Sequence, residues 1–134
     1  DARWLRSLIW PGQPEREERL NHSLRIAATE TVHRVRGDLV EELPALAAQA
    51  PPGVTLVVFH SAVLAYLPLA ARERFVESVT SLDATWISNE GVHVVPGLAA
   101  RLPEGEDSGA EFVLAVDGRP VARTQPHGRS LRWL

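Results

Sequence analysis

The stretch that most constrains this chain is Thr55 to Pro68, TLVVFHSAVLAYLP. An uninterrupted apolar run, Leu56-Val57-Val58-Phe59, is followed at once by the polar pair His60-Ser61. A short apolar segment then stops at Pro68. A buried strand that delivers polar side chains to its C-terminal end is how α/β proteins build sites. The stretch predicts a strand over 54–59, with Ser61 as N-cap of a short helix from Ala62 to Leu67.

The rest of the chain supplies partners for such a strand. Pro14 opens a helix over Glu15 to Glu30, where its missing N–H is harmless. Leu20, Leu24, Ala27 and Ala28 form that helix's apolar stripe. A shorter helix is read in 4–10, ended by Pro11-Gly12. Thr31 to Arg36 reads as a strand carrying Val32 and Val35. Asp38 and Glu41 have capping-box spacing before Leu39, Leu43, Leu46 and Ala47, and Pro44 should make that helix restart. From Pro68 a helix presents Phe75, Val76, Val79 and Leu82 inward. Ala84 to Ser88 reads as a strand leading into Asn89-Glu90-Gly91. Residues 93–109 lose periodicity and read as a long loop, mobile at 103–109. Asp117-Gly118 between two strand-like runs, 111–116 and 119–124, signals a β-hairpin.

Strands alternating with helices imply a parallel sheet with right-handed crossovers. The fold class expected is therefore α/β: a Rossmann-like, three-layer partial sheet, mostly parallel, closed by an antiparallel hairpin, in one domain over 1–134.

Composition removes several function classes. There is no cysteine, hence no disulfide, thiolate zinc site or thiol catalysis. Five histidines are scattered without H-x-x-x-H spacing, so no metal site is read. Net charge is −3 with acids and bases interspersed, unlike a nucleic-acid binder. No apolar run is long enough to span a bilayer, and a cytoplasmic location is expected. Ser61 lacks a G-x-S-x-G elbow, and no glycine-rich phosphate loop occurs.

The element order resembles the C-terminal half of Rossmann-like class I methyltransferases, with TVHRVRGD, TLVVFH and ATWISNEG as the third, fourth and fifth strands. A closer resemblance is to bacterial domain-of-unknown-function family 2332. It is carried by Trp10-Pro11, Gly37-Asp38-Leu39, FHSAVLAYLP, WISNEG and the PHG near the C-terminus. This resemblance implies that the chain is the C-terminal portion of a longer methyltransferase-like protein. The family's upstream segment, roughly G-x-S-A-G-L-N-L, is not in this sequence. No cofactor is therefore expected for this chain alone, and S-adenosylmethionine for the full-length protein.

The candidate residues each have a plain structural role beside the functional one. Asp38 and Ser61 are cofactor contacts by resemblance, or helix caps. His60 is a general base, imidazole being the side chain suited to proton transfer near neutral pH, or a backbone donor. Glu90 is a base or cation anchor beside it. Ser88, Asn89 and His127 complete a substrate rim, or serve as turn residues. Tyr66, the single tyrosine, reads as half-buried core. The resulting expectation is a small-molecule rim at the strand C-termini in a methyltransferase-like lobe. The alternative is a non-catalytic interaction or regulatory module, with homo-oligomerisation through surface left open by the missing N-terminal part.

Overall fold

In a computed structural model of the chain, residues 2–105 and 111–134 are described. They divide into two compact units, one ending at Val35 and the other running from Arg36 to Leu134. The first holds helices α1 (Ala2–Ser7) and α2 (Pro14–Thr29), joined by hydrogen bonds from the Arg6 guanidinium to Asn21. Pro14 sits in the first turn of α2 as its chemistry demands. The α2 stripe is shallower than its pattern implies: Leu20 and Leu24 are half-buried, and Ala27 and Ala28 are exposed.

The second unit contains α3 (Leu39–Ala47), α4 (Leu69–Ser81) and five strands: β1 (Val57–Ser61), β2 (Thr85–Gly91), β3 (Phe112–Val116), β4 (Arg119–Thr124) and β5 (Leu131–Trp133). The sheet order is β1-β2-β3-β4-β5. Only β1 and β2 run parallel; the other three pairings are antiparallel. The expected mostly parallel, Rossmann-like sheet is therefore corrected to a mixed, mostly antiparallel one. The reason lies in the connections. Among the described residues only the β1-to-β2 link carries a crossover helix, α4, and parallel neighbours need such a link. No α-helix follows β2 among the described residues.

Other local expectations shift as well. Thr31 to Arg36 is not a strand, and Val32 and Val35 are exposed. A β-branched run has no stability without a ladder partner. Helix α3 runs through Pro44 without restarting, because Leu39, Val40 and Leu43 hold it against the core. Strand β1 runs from Val57 to Ser61, starting later than the 54–59 strand read from the sequence and continuing past its end to take in His60 and Ser61. The Ala62–Leu67 helix shrinks to a 3-10 turn at Leu64–Tyr66, since Ala62 has φ 54° and cannot start a helix. Residues 92–102 pack closely: Val92, Val95 and Leu98 are buried. The glutamate, aspartate and glycine at 106, 107 and 109, and with them most of the segment read as mobile, lie outside the described residues. The Asp117-Gly118 hairpin forms as read, with both residues at positive φ. The final strand β5 escaped the sequence reading.

One face of the sheet is covered. Trp86, Val113 and Ala115 pack there with Leu64, Phe75 and Val79 of the crossover and with Val40 of α3. Arg72 fixes the crossover by donating to the carbonyls of Leu67 (2.8 Å) and Ala65 (3.2 Å). Val57 and Phe59 point to the other face and are exposed.

Candidate functional site

Alternation along β2 places Trp86, Ser88 and Glu90 on the covered face, all buried, and leaves Thr85, Ile87, Asn89 and Gly91 on the other. The parallel register sets His60 beside Ser88 and Ser61 beside Asn89. The sequence-derived rim is thus brought together, but it is split between two faces.

On the covered face His60 is held at both ring nitrogens. The Trp86 indole N–H donates to Nε2 at 3.0 Å, and Nδ1–H donates to Glu90 Oε1 at 2.8 Å. The donation from Trp86 fixes the tautomer: Nε2 must offer a lone pair, so the proton sits on Nδ1. Phe75 meets the imidazole edge-on at 5.2 Å between centroids, and Trp86 stacks at 6.1 Å.

Glu90 is wholly buried and does a second task. Its Oε1 also accepts from the backbone N–H groups of Val63 (2.8 Å) and Leu64 (3.0 Å). It thereby caps the 3-10 turn, the role expected of Ser61. Burial is the largest single influence on the Glu90 carboxyl and pushes its pKa up. The hydrogen bond from His60 and the two backbone donors together outweigh it and hold the pKa below the ordinary 4.5. Glu90 Oε2 and Ser88 Oγ are buried and have no hydrogen-bond partner among the described residues.

On the opposite face Asn89 Nδ2 donates to Ser61 Oγ at 3.2 Å, and Thr124 Oγ1 donates to Asn89 Oδ1 at 2.6 Å. This polar row ties β1, β2 and β4 together. Asp38 accepts from the N–H groups of Val40 (2.9 Å) and Glu41 (3.4 Å) as the N-cap of α3. His127 is exposed in the turn between β4 and β5. Tyr66 is 86% exposed, which corrects its reading as half-buried core. A small cleft of about 60 Å³ lies beside Trp86, Arg101 and Asp117.

Sequence reasoning missed two contributors, Trp86 and the Val63 and Leu64 amides, and it passed over a buried arginine on the same face. Arg123 is buried and shares a sheet row with Glu90 through Val113. The available signal was the alternation Trp86-Ser88-Glu90, which puts an indole two residues from the serine and four from the carboxylate on one face.

A family model described as "Uncharacterized protein conserved in bacteria (DUF2332)" matches residues 1–133. The chain belongs to that family. No curated protein and no solved structure matches it. DUF2332 membership agrees with the resemblance carried by FHSAVLAYLP and WISNEG, and both segments lie in the β1–β2 pair that builds this cluster. No described helix of this DUF2332 chain is long and apolar enough to cross a membrane.

Proposed function

We propose that this chain is a non-catalytic interaction module that takes up an extended, uncharged polypeptide strand along β1. The observation behind the reading is the exposure of large apolar side chains between Val54 and Leu69. Phe59 is 76% and Tyr66 86% exposed, and Val54, Val57, Val63 and Leu69 are exposed too. This concentration of exposed large apolar side chains within one segment is the kind that marks an interaction site. The polar groups beside them are engaged with one another: His60 with Trp86 and Glu90, and Asn89 with Ser61 and Thr124. An apolar dye, anilinonaphthalenesulfonate, should bind the folded chain, and a Phe59→Ser, Tyr66→Ser variant of unchanged circular dichroism should lose most of that signal. A folded chain that leaves the dye dark removes the reading.

A second reading keeps His60 and Glu90 as the acid–base pair of a methyltransferase-like enzyme. In its favour is the 2.8 Å imidazole–carboxylate contact, the arrangement that orients a general base. It requires Trp86 to release Nε2. Calorimetry of the family-length protein with S-adenosylmethionine tests it, and the absence of heat at millimolar cofactor would rule it out.

A further inference from the structure

Strand β1 is the edge of the described sheet. Thr85 N donates to Leu56 O at 3.0 Å, and Ala62 N donates to Asn89 O at 3.2 Å. In a parallel pair each residue turns both of its backbone groups to the same side. Residues 56, 58, 60 and 62 therefore face β2. Val57, Phe59 and Ser61 turn their N–H and C=O groups away from the sheet.

Proteins usually blunt such an edge with charge, proline or a bulge. None of these guards β1. From Leu43 to Ala71 there is no Asp, Glu, Lys or Arg, in a chain that is 23% charged. The pairing register of β1 is continuous, and its five residues include no proline.

We propose that the strand taken up by β1 is β1 of a second copy of this chain, paired antiparallel about a two-fold axis at Phe59. This inference rests on the interaction reading above and names its partner. A strand paired with its own copy about a two-fold axis is necessarily antiparallel, and such isologous contacts close as dimers. With the axis at Phe59, the two Phe59 residues face each other and Val57 faces Ser61 of the second copy. All three outward residues then meet a residue whose backbone also points outward. The ladder gains six hydrogen bonds, and the two Phe59 rings become a cross-strand aromatic pair. The seam brings no like charges together, so neither copy repels the other there.

The cysteine-free sequence allows a clean test. Facing residues of a hydrogen-bonded antiparallel pair lie about 5.5 Å apart at Cα, within disulfide range. Under mild oxidation Phe59→Cys should cross-link to a covalent dimer. Val57→Cys and Ser61→Cys should cross-link when mixed and not separately. The exposed Gln49→Cys serves as control. In sedimentation equilibrium the unmodified chain should be dimeric. Phe59→Pro, which blocks the edge, should be monomeric, whereas Trp133→Ser should stay dimeric. A monomeric unmodified chain, or Val57→Cys cross-linking alone as fast as Phe59→Cys, overturns the pairing. A monomer that still binds the apolar dye leaves the interaction reading standing without the second copy. A monomer that leaves the dye dark ends both.

Discussion

The Oε1 atom of Glu90 holds the His60 imidazole at 2.8 Å and, at the same time, caps the turn that leaves His60's own strand. One carboxylate oxygen therefore joins β2 to β1 and to the crossover that follows. Its protonation state should register in the stability of the whole unit.

Because Glu90 titrates below its ordinary value when folded, its contribution is complete above about pH 4.5 and fades as pH falls through the lowered pKa. Urea midpoints measured from pH 7 to pH 3 should show this loss in the natural chain. Glu90→Gln should be less stable at pH 7 by about 1–3 kcal/mol and should lack that part of the acid slope. Parallel curves for the two proteins would contradict the role assigned to Glu90.

Ser88 makes the opposite prediction. Its hydroxyl is buried and unbonded among the described residues, so the native state bears a desolvation penalty with no return. Ser88→Ala should be neutral or more stable by about 1 kcal/mol. A loss above that in thermal or urea unfolding would mean that the hydroxyl has a partner.

Asp38 works as an N-cap. Asp38→Ala leaves the first amides of α3 without their acceptor and should lower stability by about 1 kcal/mol, while Asp38→Asn or Asp38→Ser should recover most of it. Denaturation of the four proteins side by side decides this, and equal loss in all three variants would count against capping.

The hairpin turn tolerates substitution poorly at Gly118. Gly118 has φ 70°, and a Cβ there would lie 2.8 Å from Arg101 Nη1, which donates to the Gly118 carbonyl. Gly118→Ala therefore combines backbone strain with a displaced arginine and should lose about 2 kcal/mol. Gly53, also at positive φ but with open space around it, should lose only the strain. The comparison of the two alanine variants separates the terms.

Much of this architecture was legible where local chemistry decides structure. The Asp117-Gly118 turn, the Asp38 cap and the Phe75 and Val79 face of α4 follow from a few adjacent residues. Direction in the sheet does not. Nothing periodic in residues 92–111 tells whether the chain crosses over or turns back. The three residues of β5 are too few for a pattern, and their pairing with Ala122 to Thr124 makes them a strand. Thr31 to Arg36 had the pattern and no partner. At the site, the proximity of His60 and Glu90 followed from two neighbouring strand ends. The division of the rim between faces did not, because it depends on β1 running on through Ser61 instead of ending at Phe59. Trp86 was read only as part of a strand, although its indole N–H sets the tautomer of His60.

The parallel pairing at the sheet edge also sets how the buried polar cluster meets water. Strands β3, β4 and β5 follow one another through short connections. Strand β1 joins β2 across the residues 62–84 crossover, and within the chain a single ladder retains it. An edge strand held by one ladder opens more readily than the strands paired on both sides. When β1 lifts away, the imidazole leaves with it, and Trp86, Ser88 and Glu90 meet water together. The stability of that strand alone then sets how often the buried polar cluster is wetted, independently of the stability of the fold as a whole.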